Sequence, residues 1–71
     1  MRFAGKTAVV TGAGAGMGAA AAQYLAGEGA RVALLDRDLA GAERVAQSIV
    51  DAGGAASAFA CDVAKSTEVV A

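Results

Sequence analysis

The chain has 71 residues, a formal net charge of −1, one cysteine and no histidine. That length holds one small domain at most. The composition excludes a disulfide framework, a histidine–cysteine metal centre and a histidine-based catalytic triad. The near-zero charge offers no electrostatic footprint for nucleic acid, and a lone thiol suits a reducing compartment, so a cytoplasmic protein is expected.

A membrane reading has to be weighed first. Thr7 to Gly27 carries no charge and follows Arg2 and Lys6, which is the outline of a signal peptide or a spanning helix. Five glycines interrupt the run, however, and its only aliphatic residues beyond alanine are Val9, Val10, Met17 and Leu25. A membrane core needs far more leucine and isoleucine, so no membrane association is expected.

In chain order, Lys6 to Thr11 is a short apolar run rich in β-branched residues and stopped by Gly12, which predicts a buried strand. Gly16 to Glu28 holds strong helix formers and no proline. Its larger residues, Met17, Tyr24 and Leu25, are few, so alanine supplies most of the packing face, and Tyr24 is read as packing. Gly29 is the expected C-terminal cap. Arg31 to Leu35 is apolar on both faces, as in a strand covered on both sides of a parallel sheet. Asp38 then caps a helix whose apolar positions, Leu39, Ala42, Val45, Ala46 and Ile49, recur at intervals of three and four. Gly53-Gly54 stops it.

Ala55 to Ala60 is a third, weaker strand. Ser66 is read as the cap of a further helix, with Glu68 in its first turn, where the helix dipole favours an anion. The expected order is therefore β-α-β-α-β followed by the start of a helix. Such alternation implies right-handed crossovers and a parallel sheet. The fold class is α/β, a Rossmann-type doubly wound parallel sheet of which the first β-α-β-α-β half is present. Residues 1–71 are read as the incomplete N-terminal half of a dinucleotide-binding domain, with nothing in the sequence to cover the outer side of the first strand.

The chemistry concentrates in the glycines between the first strand and first helix. A strand turning sharply into a helix points unsatisfied backbone N–H groups and a positive dipole end at one place, where phosphate binds if the backbone can come close. Three registers overlap here. Gly12-x-Gly14-x-Gly16 resembles the first motif of S-adenosylmethionine-dependent methyltransferases, but Val10 stands where those usually carry an acid. Gly14-x-Gly16-x-x-Ala19 fits the dinucleotide fingerprint. Asp36 closes the second strand eighteen residues after Gly18, near the spacing of roughly 20 expected for the ribose-binding acid. A P-loop is excluded, because no lysine lies between Lys6 and Lys65.

The third register, Thr11-Gly12-Ala-Gly-Ala-Gly16-Met-Gly18, resembles the T-G-x-x-x-G-x-G motif of the short-chain dehydrogenases/reductases. "GKTAVVTGAGAGMG" is similar to that family's opening, "VALLDRD" to its second strand, and "FACDV" to the Asp-Val pair closing its third. The resemblance implies that Gly12 makes the turn and that the backbones of Ala15, Gly16 and Met17 face the pyrophosphate. Gly18 would bring helix, strand and cofactor close, and Gly14 is a permissive extra. Asp36 would accept the ribose hydroxyls and Arg37 lie over the adenine. Asp62 and Val63 would contact the adenine from the third strand. A carboxylate at Asp36 repels a 2′-phosphate, so NAD is expected over NADP; Asp38 does the capping, which frees Asp36.

The family's catalytic tyrosine and lysine lie four residues apart, whereas Tyr24 is followed four residues on by Glu28. Catalytic and metal-binding residues are accordingly none in this chain, and the reacting groups are expected beyond Ala71. Cys61 sits beside an acid rather than a cation, the wrong neighbour for a reactive thiol. The function implied is an NAD(P)-dependent oxidoreductase interconverting an alcohol and a ketone, acting on a small-molecule substrate and oligomerising as a full-length protein. The alternatives are a nucleotide-binding module without catalysis and a methyltransferase fragment.

Overall fold

The computed structural model describes residues 2–12, 14, 16–61 and 67–70. Strand β1 (Thr7–Thr11), helix α1 (Gly16–Gly27), strand β2 (Arg31–Asp36), helix α2 (Leu39–Asp51), strand β3 (Ala55–Ala60) and strand β4 (Thr67–Val70) follow one another. They build a four-stranded sheet in the order β3-β2-β1-β4. β1, β2 and β3 are mutually parallel, with Val10 beside Leu34 and Leu34 beside Ala58. This is the expected α/β half.

Both crossovers step in the same direction along the sheet, and right-handed connections of that kind put both helices on one face. The core lies there. Alternate strand residues Ala8, Val10, Val32 and Leu34 meet Ala22, Leu25 and Ala26 of α1 and Ala42, Val45 and Ile49 of α2. Leu34 and Val10 are fully buried, each contributing about 1.5–3 kcal/mol relative to exposure. On the other face Val9, Ala33 and Leu35 are half-buried and Phe59 is exposed. β2 is thus apolar on both faces, as its sequence indicates, but helices of the described residues cover only one.

The two helices end alike. The Ala30 amide donates to Leu25 O and the Gly29 amide to Ala26 O; in α2 the Gly54 amide donates to Ile49 O and the Gly53 amide to Val50 O. Gly29 and Gly53 have φ of 95° and 93°, which completes a Schellman motif at each end. Alanine does supply most of the packing face of α1, with Leu25, but Tyr24 is 54% exposed. The reading of Tyr24 as packing is corrected: the buried face of α1 is formed by Ala22, Leu25 and Ala26, and Tyr24 lies off that face.

The largest departure from expectation is the last element. Thr67–Val70 is a strand antiparallel to β1, pairing Val10 with Thr67 and Thr7 with Val70. The sequence pointed to a helix there and to an uncovered β1. A single helical turn orders several residues for one hydrogen bond, and a cap or dipole contact adds only about 1 kcal/mol. The free edge of β1 offers a row of unpaired N–H and C=O groups, and three of the four residues are β-branched and favour strand. Ser66, the expected cap, lies outside the described residues.

Candidate functional site

β1 and β2 end side by side, with Thr11 level with Leu35. The chain leaves β1 through Gly12, whose amide donates to Leu35 O at 2.8 Å. α1 then begins at Gly16. Gly12 and Gly16 have φ of 66° and 64°, a left-handed backbone that costs other residues roughly 1–2 kcal/mol. Glycine at both ends therefore lets the chain reverse from strand to helix within a few residues. The first turn of α1 contains no acidic residue, so no carboxylate of its own offsets the positive end of the dipole. Met17, 89% exposed, and the half-buried Gly18 lie in that first turn.

Asp36 closes β2 and reaches back to this turn. Its Oδ2 accepts the Gly14 amide at 2.7 Å and its Oδ1 accepts the Asp38 amide at 2.9 Å. The Asp38 amide most of all, then the Gly14 amide, hold the Asp36 carboxyl below the ordinary carboxylate range. Partial desolvation opposes them, and the amide and charge of Arg37 add to them. Asp38 caps α2 as expected, its Oδ1 accepting the Gly41 amide at 3.1 Å. The division of labour differs from the sequence reading, however: capping by Asp38 does not leave Asp36 idle, because both of its oxygens already hold backbone donors.

The structure thus brings Gly12, Gly14, Gly16, Met17, Gly18, Asp36 and Arg37 to one end of the sheet. Ala15, Asp62 and Val63 lie outside the described residues. Gly14 is more than permissive. A Cβ on it would sit 2.8 Å from Asp36 Oδ2 and 3.4 Å from the Ala42 amide nitrogen. Gly41 escaped the sequence reading. A Cβ there would stand 2.6 Å from Asp38 Oδ2 and 3.1 Å from the Gly14 carbonyl oxygen, so its absence lets α2 close on the turn. The signal was available: a glycine in the first turn of a helix, flanked by alanines, costs about 1 kcal/mol against alanine and asks for a reason.

Chemically, this end presents backbone donors and a helix N-terminus suited to an anion, next to a fixed carboxylate suited to hydroxyl donors. Cys61 follows β3, half-buried, with its amide donating to Asp36 O at 2.9 Å. Among the described residues no cluster of cysteine and acidic side chains is placed to hold a metal ion, and no helix is long and apolar enough to cross a membrane.

A groove of about 440 Å³ lies at the opposite end of the helices, lined by Gln23, Ala26, Ser48, Ile49, Gly53 and Gly54 among others. There Gln23 Nε2 donates to Ser48 Oγ at 3.3 Å. None of the predicted site residues lines it.

Comparison with known proteins agrees with this geometry. D-threitol dehydrogenase of Mycolicibacterium smegmatis is 47% identical over 70 residues, which are 99% of this chain and 27% of that protein. 2-(S)-hydroxypropyl-CoM dehydrogenase 3 of Xanthobacter autotrophicus is 40% identical over 70 residues, covering 99% of this chain and 28% of the relative. Among solved structures, a metagenomic short-chain oxidoreductase in complex with NADP superposes with a TM-score of 0.85 at 48% identity, over 87% of this chain and 28% of that one. The chain therefore spans little more than a quarter of the length of these relatives. The model of the short chain dehydrogenase family matches residues 6–71, which removes the methyltransferase alternative. With its strand–turn–helix, its closing carboxylate and this match over nearly its whole length, the chain belongs to the short-chain dehydrogenase/reductase family of oxidoreductases.

Proposed function

We propose that residues 1–71 are the adenosine- and pyrophosphate-binding N-terminal part of an NAD-dependent oxidoreductase that interconverts an alcohol and a ketone. The observation that carries this reading is the Asp36 carboxylate, fixed at the end of β2 against the Gly14 amide and next to the N-terminus of α1. The backbones of Ala15, Gly16 and Met17 and the dipole of α1 would hold the pyrophosphate, with Gly18 letting helix, strand and cofactor lie close. Asp36 would accept the hydroxyls of the adenosine ribose, Arg37 would flank the adenine, and Asp62 and Val63 would contact it. The donor set fits the group: close-approaching glycine backbone for phosphate and a preset carboxylate for vicinal hydroxyls.

When bound, the nicotinamide carries the hydride, and this chain's residues serve to hold and orient the cofactor. None of them is assigned a catalytic role, and the acid/base group is placed outside this segment. The whole protein is proposed to act on a small molecule in the cytoplasm and to self-associate.

Preference for NAD over NADP follows from charge, since a carboxylate that stays ionised repels a 2′-phosphate. Equilibrium titration of the full-length protein with NAD⁺, NADP⁺ and S-adenosylmethionine tests the reading. NAD⁺ is expected to bind tightest, and Asp36→Ala to weaken it about tenfold or more, as for a lost hydrogen bond to a charged group. The same variant should leave NADP⁺ binding unchanged or improved. Tighter binding of NADP⁺ by the wild type would overturn the NAD assignment.

A further inference from the structure

We infer that Gly14 is a specificity-determining residue, acting through Asp36. Its amide pins the carboxylate, and its missing side chain leaves the space in which the carboxylate is pinned. This deepens, and rests on, the reading of Asp36 as the ribose acceptor.

The geometry is specific. Asp36 is tied at both oxygens, by Gly14 on one side and Asp38 on the other. A carboxylate tied at one oxygen swings about its side-chain bonds; tied at two, it is fixed in plane and position. Each oxygen still has acceptor capacity left for a hydroxyl. The fixed group is therefore set to receive ribose hydroxyls without losing side-chain freedom on binding, and it is unable to turn aside for a 2′-phosphate.

A side chain at position 14 breaks this arrangement. The first added carbon falls 2.8 Å from Asp36 Oδ2 and 3.4 Å from its Cγ, well inside contact distance, so the carboxylate must move. Gly14 is also held close to α2. The Gly14 carbonyl faces the first turn of α2 at the point where Gly41 leaves its own side chain out, and the Asp38 cap holds that turn down.

The test uses the full-length protein with Gly14→Ala, Asp36→Ala and the double variant, each checked for a wild-type circular dichroism spectrum. Dissociation constants for NAD⁺ and NADP⁺ are measured by calorimetry, so that turnover plays no part. Gly14→Ala is expected to lower the preference for NAD⁺ about tenfold, the scale of one charge-assisted hydrogen bond, and to have no further effect in the Asp36→Ala background. A Gly14 effect that persists undiminished without the carboxylate would overturn the inference, since Gly14 would then act on the cofactor directly. So would an unchanged preference in Gly14→Ala where Asp36→Ala alters it. An Asp36→Ala variant with wild-type preference would instead reject the ribose reading itself, and the inference with it.

A second readout needs no substitution at Gly14. In ¹H–¹⁵N spectra of Asp36→Asn without cofactor, the Gly14 and Asp38 amides are expected to shift while the Gly41 amide, which serves Asp38, stays in place. An unmoved Gly14 amide would overturn the inference.

Discussion

The two ends of the helices use the same residue for opposite purposes. At their C-terminal ends, Gly29 and Gly53 turn the backbone so that it satisfies its own carbonyls, through bonds to Ala26 and Val50. At the N-terminal end of α1, Gly12 and Gly16 turn the backbone without an acidic residue in the first turn to balance its dipole. The first end is closed on itself and serves stability. The second lacks that closure and is the end proposed to bind the cofactor. The difference teaches that a glycine count says little, whereas the partners of the neighbouring amides separate a helix end closed on itself from a strand-to-helix turn. The groove of about 440 Å³ lies at the closed end, and none of the predicted site residues lines it.

The comparison breaks most forcefully at the element shared by both ends. Leu34 is fully buried in the central row of the sheet, and Leu34→Ala is expected to cost about 3 kcal/mol. Thermal unfolding should show both ends lost in one transition. At the closed end, a Cβ on Gly54 would stand 2.8 Å from Ile49 Cγ2 and 3.2 Å from Ile49 O. Gly54→Ala should therefore cost about 2 kcal/mol by overpacking, while the folded protein binds NAD⁺ as before by calorimetry. Binding that falls with stability there would blur the distinction between the ends.

Smaller effects sharpen the open end. Asp38→Ala removes the α2 cap and is expected to cost about 1 kcal/mol in denaturant unfolding. It should also weaken NAD⁺ binding, through the loosened first turn of α2. The smallest effect is one of pH. The folded carboxyl of Asp36 lies below its ordinary value, so its contribution is fully present above about pH 4 and is lost as pH falls through the lowered value. The stability difference between wild type and Asp36→Asn should be flat from neutral down to about pH 4 and shrink below it.

Much of the fold was legible because each element carried its own signal. The spacing of Leu39, Ala42, Val45 and Ile49 announced α2, Asp38 announced its start, and Gly53-Gly54 its end. The tail was misread because Thr67 to Val70 has only local signals, and the edge of β1 that recruits it sits some 60 residues earlier in the chain. In the candidate site, Gly12, Gly16 and Asp36 were legible from spacing. The bond between Gly14 and Asp36 was not, because the two residues are 22 positions apart and meet only when β1 and β2 lie in register. Gly41 was missed for the same reason, since what it makes room for is the Gly14 carbonyl, on another element.

The central claim is that the open end holds the adenosine half of the dinucleotide. Amide chemical-shift mapping of the full-length protein with ADP-ribose tests it most directly. The account predicts shifts concentrated at Gly12, Gly14, Gly16 to Gly18 and Asp36 to Asp38, with Gly27, Gly29, Gly53 and Gly54 unmoved. Shifts centred on the groove between Gln23, Ser48 and Gly54, with the Gly14 and Asp36 amides unchanged, would contradict it.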